Sequence, residues 1–223
     1  MYLSRVEIDS KNRSKTKDLA HLGAYHNWVE QSFPGEVEAG QRKRHLWRVD
    51  QLAGKCYLLV LSEKKPVITL LERYGVPGAV MIKSYDHLLE SIEVGQVLQF
   101  RLTANPTRTV SEPGQSQGRV FPHITLENQQ NWLIDRAEKS GFQLIKQTTV
   151  NGPDGEPTWA FKIVGREWPV LHRKAGKSPR LSRVTFEGLL RVSDVERFKQ
   201  TLTKGIGREK AFGMGLMTVI PEA

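Results

Sequence analysis

One order of elements, a strand, a helix and then two strands, is written twice along this chain, and few folds accept it. Residues 2 to 9 alternate through Tyr2, Leu3, Arg5, Val6 and Ile8 with the two-residue period of a half-buried strand. A polar, basic loop follows, and helix signals run from Asp18 to about Gln31. Leu19, Leu22, Trp28 and Val29 are available for its apolar face, and Phe33-Pro34-Gly35 ends it. Two strand-like runs, His45 to Asp50 and Cys56 to Ser62, flank a turn at Ala53-Gly54, and Ala79 to Ile82 is a weaker strand candidate. The theme restarts at Val97. Val97 to Ala104 reads as a strand ended by Asn105-Pro106, residues 111 to 123 as a polar loop, and Glu127 to Ser140 as a helix stopped by Gly141. Phe142 to Val150, Trp159 to Val164 and Val184 to Val192 read as strands. Asp194 caps a last helix to about Thr203, and Leu216 to Ile220 closes the chain.

An α+β architecture of two tandem ferredoxin-like (βαββαβ, RRM-like) domains accounts for this order. The boundary is expected at residues 88 to 96, near Glu93-Val94-Gly95, which gives domains of 1–92 and 93–223. The chain's 223 residues suffice for two cores of about 100 residues each. The doubling rests on element order, because the sequence itself shows no clear repeat.

Charge constrains what such a pair of domains binds. Lysine and arginine outnumber aspartate and glutamate by 33 to 24, a net charge of +9. The excess is clustered. Between 166 and 183, Arg166, Arg173, Lys174, Lys177, Arg180 and Arg183 face one acid, Glu167; between 11 and 17, Lys11, Arg13, Lys15 and Lys17 face none. Such clustering favours a polyanionic partner, nucleic acid ahead of a membrane surface. No stretch approaches the roughly 20 apolar residues that span a bilayer. Met1-Tyr2-Leu3-Ser4-Arg5-Val6 reads as a strand rather than a leader, so a cytoplasmic location is expected. Cys56, the single cysteine, lies in an apolar run and reads as a packed thiol, which excludes an internal disulfide and a cysteine-rich zinc site.

Two stretches carry candidate chemistry. From Gly205 to Gly215 the sequence Gly-Ile-Gly-Arg-Glu-Lys-Ala-Phe-Gly-Met-Gly mixes glycines with Arg208 and Lys210, which suits close approach to a phosphate backbone. It equally fits a tight turn packed between helix and strand. Neither nucleotide motif is met: G-x-G-x-x-G needs glycine where Lys210 stands, and a P-loop ending at Gly176-Lys177-Ser178 needs one where Leu171 stands. His26 lies inside the first helix, five residues after His21 and about 140° from it, so the two are not a zinc-protease pair. A histidine there is either an ordinary helix residue or a proton carrier for RNA cleavage. Carboxylate clusters of a two-metal nuclease are missing; Glu90 with Glu93, and Asp135 with Glu138, read as solvated helix faces.

Met1-Tyr2-Leu3-Ser4-Arg5-Val6, Phe100-Arg101-Leu102-Thr103-Ala104-Asn105-Pro106, Phe186-Glu187-Gly188 and the glycine-rich end together resemble the CasE family, CRISPR repeat-processing endoribonucleases of the E-subtype Cascade complex. The likeness runs in order from residue 1 to about 221 and is loosest between 107 and 180. It implies a basic face that holds the stem-loop of CRISPR repeat RNA, with no cofactor, metal or nucleotide. It implies metal-independent cutting at the 3′ base of the stem by 2′-hydroxyl attack, leaving a 2′,3′-cyclic phosphate and a 5′-hydroxyl. The processed guide RNA then stays bound with the other Cascade subunits.

In the family the catalytic histidine precedes a phenylalanine at the helix end by seven residues, as His26 precedes Phe33, and His21 is a bystander. Some members carry a tyrosine one turn before the histidine and a lysine five residues after it. Gly23 and Gln31 stand there in this chain, so Tyr25 is the remaining tyrosine candidate, serving only if the helix starts late or is irregular. The resemblance assigns transition-state stabilisation to Lys174 or Lys177. RNA contacts are expected from Arg108, Lys174, Lys177, Arg180, Arg183, Arg208 and Lys210, and from Gly205, Gly207, Gly213 and Gly215. A non-catalytic RNA-binding scaffold of the same fold is the alternative, and a general DNA- or tRNA-binding protein the third.

Overall fold

The computed structural model describes residues 1–40, 42–111, 118–148, 157–171 and 178–222. The chain forms two compact units. The first comprises Met1–Ser91 with Pro169–Arg180 and Glu209–Leu216; the second comprises Ile92–Trp168 with Leu181–Arg208 and Met217–Ala223.

In the first unit, β1 (Tyr2–Glu7) is followed by the one-turn α1 (Arg13–Thr16), α2 (Leu22–Gln31) and α3 (Pro34–Glu38). The hairpin β2 (Leu46–Leu52) and β3 (Lys55–Ser62) comes next, then α4 (Ile68–Leu71), β4 (Met81–Ser84) and α5 (Asp86–Glu90). The sheet order is β2-β3-β1-β4 with every pairing antiparallel, so β3 inserts between the two strands that α2 connects. This is the split βαβ arrangement of a ferredoxin-like domain. Val6, Trp28, Val29, Phe33, Trp47, Leu58, Val60 and Leu71 bury one side of the sheet under α2.

Local chemistry explains where this unit departs from the sequence reading. Helix α2 begins at Leu22 rather than Asp18, because the His21 ring accepts a hydrogen bond from the Ala24 amide and caps the helix. The second helix of the motif shrinks to the four residues of α4, too short for any periodicity to register. It is anchored by the Trp28 indole, which donates to the carbonyls of Leu70 and Leu71 at 3.2 and 3.1 Å. At the β2–β3 turn, Ala53 and Gly54 both take positive φ.

The second unit starts with β5 (Val97–Ala104), the hairpin β6 (Thr107–Val110) and β7 (Arg119–Pro122), and α6 (Leu126–Ala137). After a 3-10 turn come β8 (Phe142–Leu144), β9 (Lys146–Thr148), β10 (Pro157–Trp159), β11 (Phe161–Glu167), β12 (Arg183–Val192), α7 (Val195–Lys204) and β13 (Met217–Pro221). Its sheet runs β11-β12-β5-β13, again antiparallel throughout, with β8 pairing the far end of β12. The two units are therefore ferredoxin-like domains. Phe142 meets Phe198 edge-on and Trp132 stacks on Phe186 inside this core.

Two segments of this unit differ from the expected elements. The expected loop over 111 to 123 contains β7, whose residues are exposed or half-buried, so no buried face marks it as a strand; residues 112–117 lie outside the described part. The expected strand Phe142 to Val150 breaks at Ile145. Phe142–Leu144 joins β12 and Lys146–Thr148 forms a separate ribbon with β10, while residues 149 and 150 lie outside the described part. No helix among the described residues is long and apolar enough to cross a membrane.

Candidate nucleic-acid interface

Helix α2 presents its side chains to different neighbours, as the 100° step between consecutive residues requires. Trp28 and Val29 are fully buried. Tyr25 stacks on Trp47, with ring centroids 5.9 Å apart and planes at 19°. His26, half-buried, meets the ring of Phe212 at 5.8 Å. Tyr25 and His26 thus face separate aromatic partners although α2 does start late, and His21 serves as the cap. Gln31 accepts a hydrogen bond from Arg73 at 2.9 Å.

Phe212 ends a short 3-10 turn, Lys210–Phe212, inside the glycine-rich segment. That segment is fastened to β2. The Trp47 indole donates to the carbonyl of Ala211 at 3.1 Å. Arg48, 1 % exposed, donates to the Leu216 carbonyl at 2.8 Å while two of its nitrogens bind the Asp50 carboxylate at 2.7 Å. Gly213 lies so close to Trp47 that a Cβ would stand 2.5 Å from the indole. Lys210 is half-buried, and burial together with the charge of Arg44 pushes its pKa down. Lys210 thus lies two residues from the ring that packs on His26.

Behind the catalytic candidate lies a buried acid–imidazole network. His45 places Nδ1 3.0 Å from Glu30 and Nε2 3.3 Å from Glu36, and its ring stacks on Phe33 at 3.9 Å. Burial pushes the Glu30 carboxyl up, but the hydrogen bond and charge of His45, aided by His26 and Arg42, hold it below its ordinary value. Among the described residues no three His, Cys, Asp or Glu side chains are grouped to hold a metal ion.

Arg108 is exposed on β6, Arg208 is exposed after α7, and Arg180 is exposed in an isolated bridge with Val170. Arg183 is paired with Glu167 at 2.9 Å. Gly205 ends α7, Gly207 lies against Trp132, and Gly213 and Gly215 are buried. Lys174 and Lys177 lie outside the described residues. Trp47, Arg44, Arg136 and Phe212 escaped the sequence reading as site neighbours, since each acquires its place from residues distant in sequence.

The recurring motifs have a shared structural basis. Phe186, Glu187 and Gly188 pair in register with Leu102, Arg101 and Phe100. Phe186 and Leu102 enter the core, and Glu187 and Arg101 form an ion pair across the strands. At Gly188 a Cβ would fall 2.3 Å from the Ala160 carbonyl, so only glycine admits the neighbouring strand.

A family model described as CRISPR associated protein matches residues 1–221. The CRISPR-associated endoribonuclease Cse3 of Thermus thermophilus is 28% identical over 233 aligned residues, which cover 99% of this chain and 100% of the relative. The CRISPR system Cascade subunit CasE of Escherichia coli (strain K12) is 28% identical over 223 residues, with 99% and 100% covered. A structure of the CRISPR endoribonuclease Cse3 bound to a 19-nucleotide RNA superposes with a TM-score of 0.79 at 30% identity, covering 99% of this chain and 100% of that one. Thermus thermophilus Cse3 bound to an RNA representing a pre-cleavage complex gives 0.76 at 27%, covering 99% and 98%. With a match running from its first residue to its 221st, this chain belongs to the CRISPR associated protein family.

Proposed function

We propose that this chain is an endoribonuclease that binds the stem-loop of CRISPR repeat RNA, cuts at the 3′ base of the stem without metal, and keeps the processed guide RNA within a Cascade complex. The observation that carries this reading is His26, half-exposed on α2 against the glycine-rich segment that bears Lys210, in a chain similar over its whole length to a CRISPR endoribonuclease. In this reading the domain of 1–92 carries the catalytic helix. The sequence domain of 93–223 supplies the basic stretch between 166 and 183 and the glycine-rich loop, whose residues Glu209–Leu216 belong to the first compact unit. The work takes place in the cytoplasm.

The RNA brings nucleophile, phosphate and leaving group in one molecule, so the protein's main task is in-line alignment, which contributes at best about 7 to 11 kcal/mol. His26 moves a proton, to the 5′-oxygen or from the 2′-hydroxyl, an effect worth about 10² to 10⁴ in rate. Tyr25 is the second catalytic candidate. Lys174 or Lys177 stabilises the charge of the pentavalent phosphate, while Arg108, Arg180, Arg183, Arg208 and Lys210 hold phosphates.

The test is incubation of purified protein with its repeat RNA in EDTA. A single discrete cut ending in a 2′,3′-cyclic phosphate is expected, lost in His26→Ala with repeat binding nearly intact. Normal cutting by His26→Ala overturns the assignment of the histidine. Tight binding without cutting by the unaltered protein selects the non-catalytic scaffold instead.

A further inference from the structure

The second unit holds a cleft of about 370 Å³ in which three guanidinium groups, from Arg108 on β6, Arg136 on α6 and Arg208 after α7, converge beside His123. Asp135 is the one carboxylate in its lining, and among the described residues none of the three arginines makes an ion pair within 4.0 Å. Three like charges gathered around one cavity repel, so an arrangement of this kind is favoured when an anion enters it. From this convergence we infer a pocket for a single phosphate group.

The pocket is built rather than fortuitous. The Arg136 guanidinium lies 4.4 Å from the centre of the Trp132 ring, and its Nη1 donates to the Trp132 carbonyl at 3.1 Å, which fixes the fork and leaves its other donors for a ligand. Gly207 packs against the same indole, where a Cβ would lie 3.0 Å away, and so brings the backbone leading to Arg208 onto the cleft. Arg208 Nη2 also reaches Thr109 Oγ1 at 3.4 Å. The His123 carbonyl accepts from the buried Gln129 amide at 2.9 Å and from the buried Ser182 hydroxyl at 3.1 Å, which pins the start of the cleft wall. Burial and the neighbouring Arg108 and Arg136 charges press the His123 pKa down.

As a contact to RNA the pocket deepens the proposed function and rests on it; as a phosphate site it stands alone. The ligand is a phosphodiester of the RNA backbone or a terminal phosphomonoester, and the arms of the experiment separate them. Affinity for the repeat hairpin is measured against salt, with 5′-hydroxyl and 5′-phosphate RNA, for the unaltered protein, Arg136→Gln, Arg108→Gln, Arg208→Gln and the Arg108→Gln/Arg208→Gln double variant. One shared phosphate predicts a loss of about tenfold in each single variant and a fall of about 0.7 to 0.9 in the salt slope. The double variant loses no further slope, because its two arginines serve one charge. An effect on both RNAs identifies the internal diester; one confined to 5′-phosphate RNA identifies the terminus.

Inorganic phosphate, titrated against the Arg136 side-chain Nε–H resonance, is the readout independent of RNA. It shifts that resonance in the unaltered protein and leaves it unmoved in Arg208→Gln. Should the unaltered protein ignore the hairpin yet bind phosphate there, the proposed function fails and the pocket stands. An additive slope change in the double variant, or variants that melt normally and bind RNA and phosphate unchanged, overturns the pocket. Because Arg108 and Arg208 are exposed, their substitution tests it even if Arg136→Gln disturbs the fold.

Discussion

The imidazole of His26 and the phenyl ring of Phe212 face each other at 5.8 Å between centroids, with their planes tilted by 57°. The two residues are 186 positions apart in the sequence, and the contact forms because Trp47 and Arg48 hold the segment of Phe212 down on β2. A ring against one side of a half-buried imidazole limits the directions in which its nitrogens point. Under the proposed function, Phe212 is therefore expected to orient the imidazole for proton transfer.

Phe212→Ala is expected to lower the cutting rate at saturating RNA by about 10- to 100-fold, the scale of an alignment error near 1 Å. Repeat affinity changes far less, and Phe212→Leu recovers part of the rate by refilling the volume. Single-turnover rates beside binding isotherms check this. An unchanged rate in Phe212→Ala removes any part for the ring in placing His26.

Gly213 limits the same segment from the other side. Its φ is +75°, and a Cβ would stand 2.5 Å from the Trp47 ring. Gly213→Ala must shift that indole or lift the turn, with overpacking costing about 1–3 kcal/mol and the left-handed backbone about 1–2 kcal/mol more. Thermal unfolding should register a drop of several degrees, at about 2–4 °C per kcal/mol for a chain of this size. A wild-type melting temperature would show that the segment gives way without cost.

Much of the architecture was legible because its elements carry strong patterns. Val97 to Ala104 alternates against a buried face, Asp194 accepts from the Arg197 amide as a helix cap must, and Ala53-Gly54 lies at the turn expected between the two strands. What stayed illegible had no pattern to show. Helix α4 is one turn long, and β7 buries neither face. The ring of His21 caps α2, a task usually read from Ser, Thr, Asp or Asn. For the candidate site, His26 and the basic residues could be named from the sequence. Their surroundings could not. Phe212 beside His26, Arg44 beside Lys210 and Arg136 in the lining of the cleft each depend on packing between residues far apart in the chain.

Arg48 offers a test of how that packing is maintained. Its guanidinium is 1 % exposed and donates to both the Asp50 carboxylate and the Leu216 carbonyl. Arg48→Met keeps much of the volume but leaves a carboxylate and a carbonyl without their cation, a loss of about 3–5 kcal/mol for a broken buried pair. Arg48→Met/Asp50→Leu should recover a large part of it, because the stranded charge is gone as well. Urea unfolding of both variants decides the matter. Equal stability of Arg48→Met and the unaltered protein would mean that the pair contributes nothing to the fold.

The network behind α2 predicts how stability depends on acid. Glu30 is pushed up by burial, but the His45 hydrogen bond and charge prevail, so its folded carboxyl titrates below the ordinary value of 4.5. Just beneath that value the unfolded chain binds the proton more readily than the folded one. The stabilisation is therefore complete above pH 4.5 and is lost as the pH falls through the lower, folded value. His45→Gln removes the hydrogen bond and charge that do most to hold the Glu30 carboxyl down and leaves only His26 and Arg42 against burial, which raises that carboxyl. That variant should be less stable at neutral pH and should lose less on acidification, so the two stability curves converge below pH 4.5. Parallel curves in urea titrations across this range would show that His45 does not set the ionisation of Glu30, and the carboxylate four residues beyond His26 would have to owe its charge to something else.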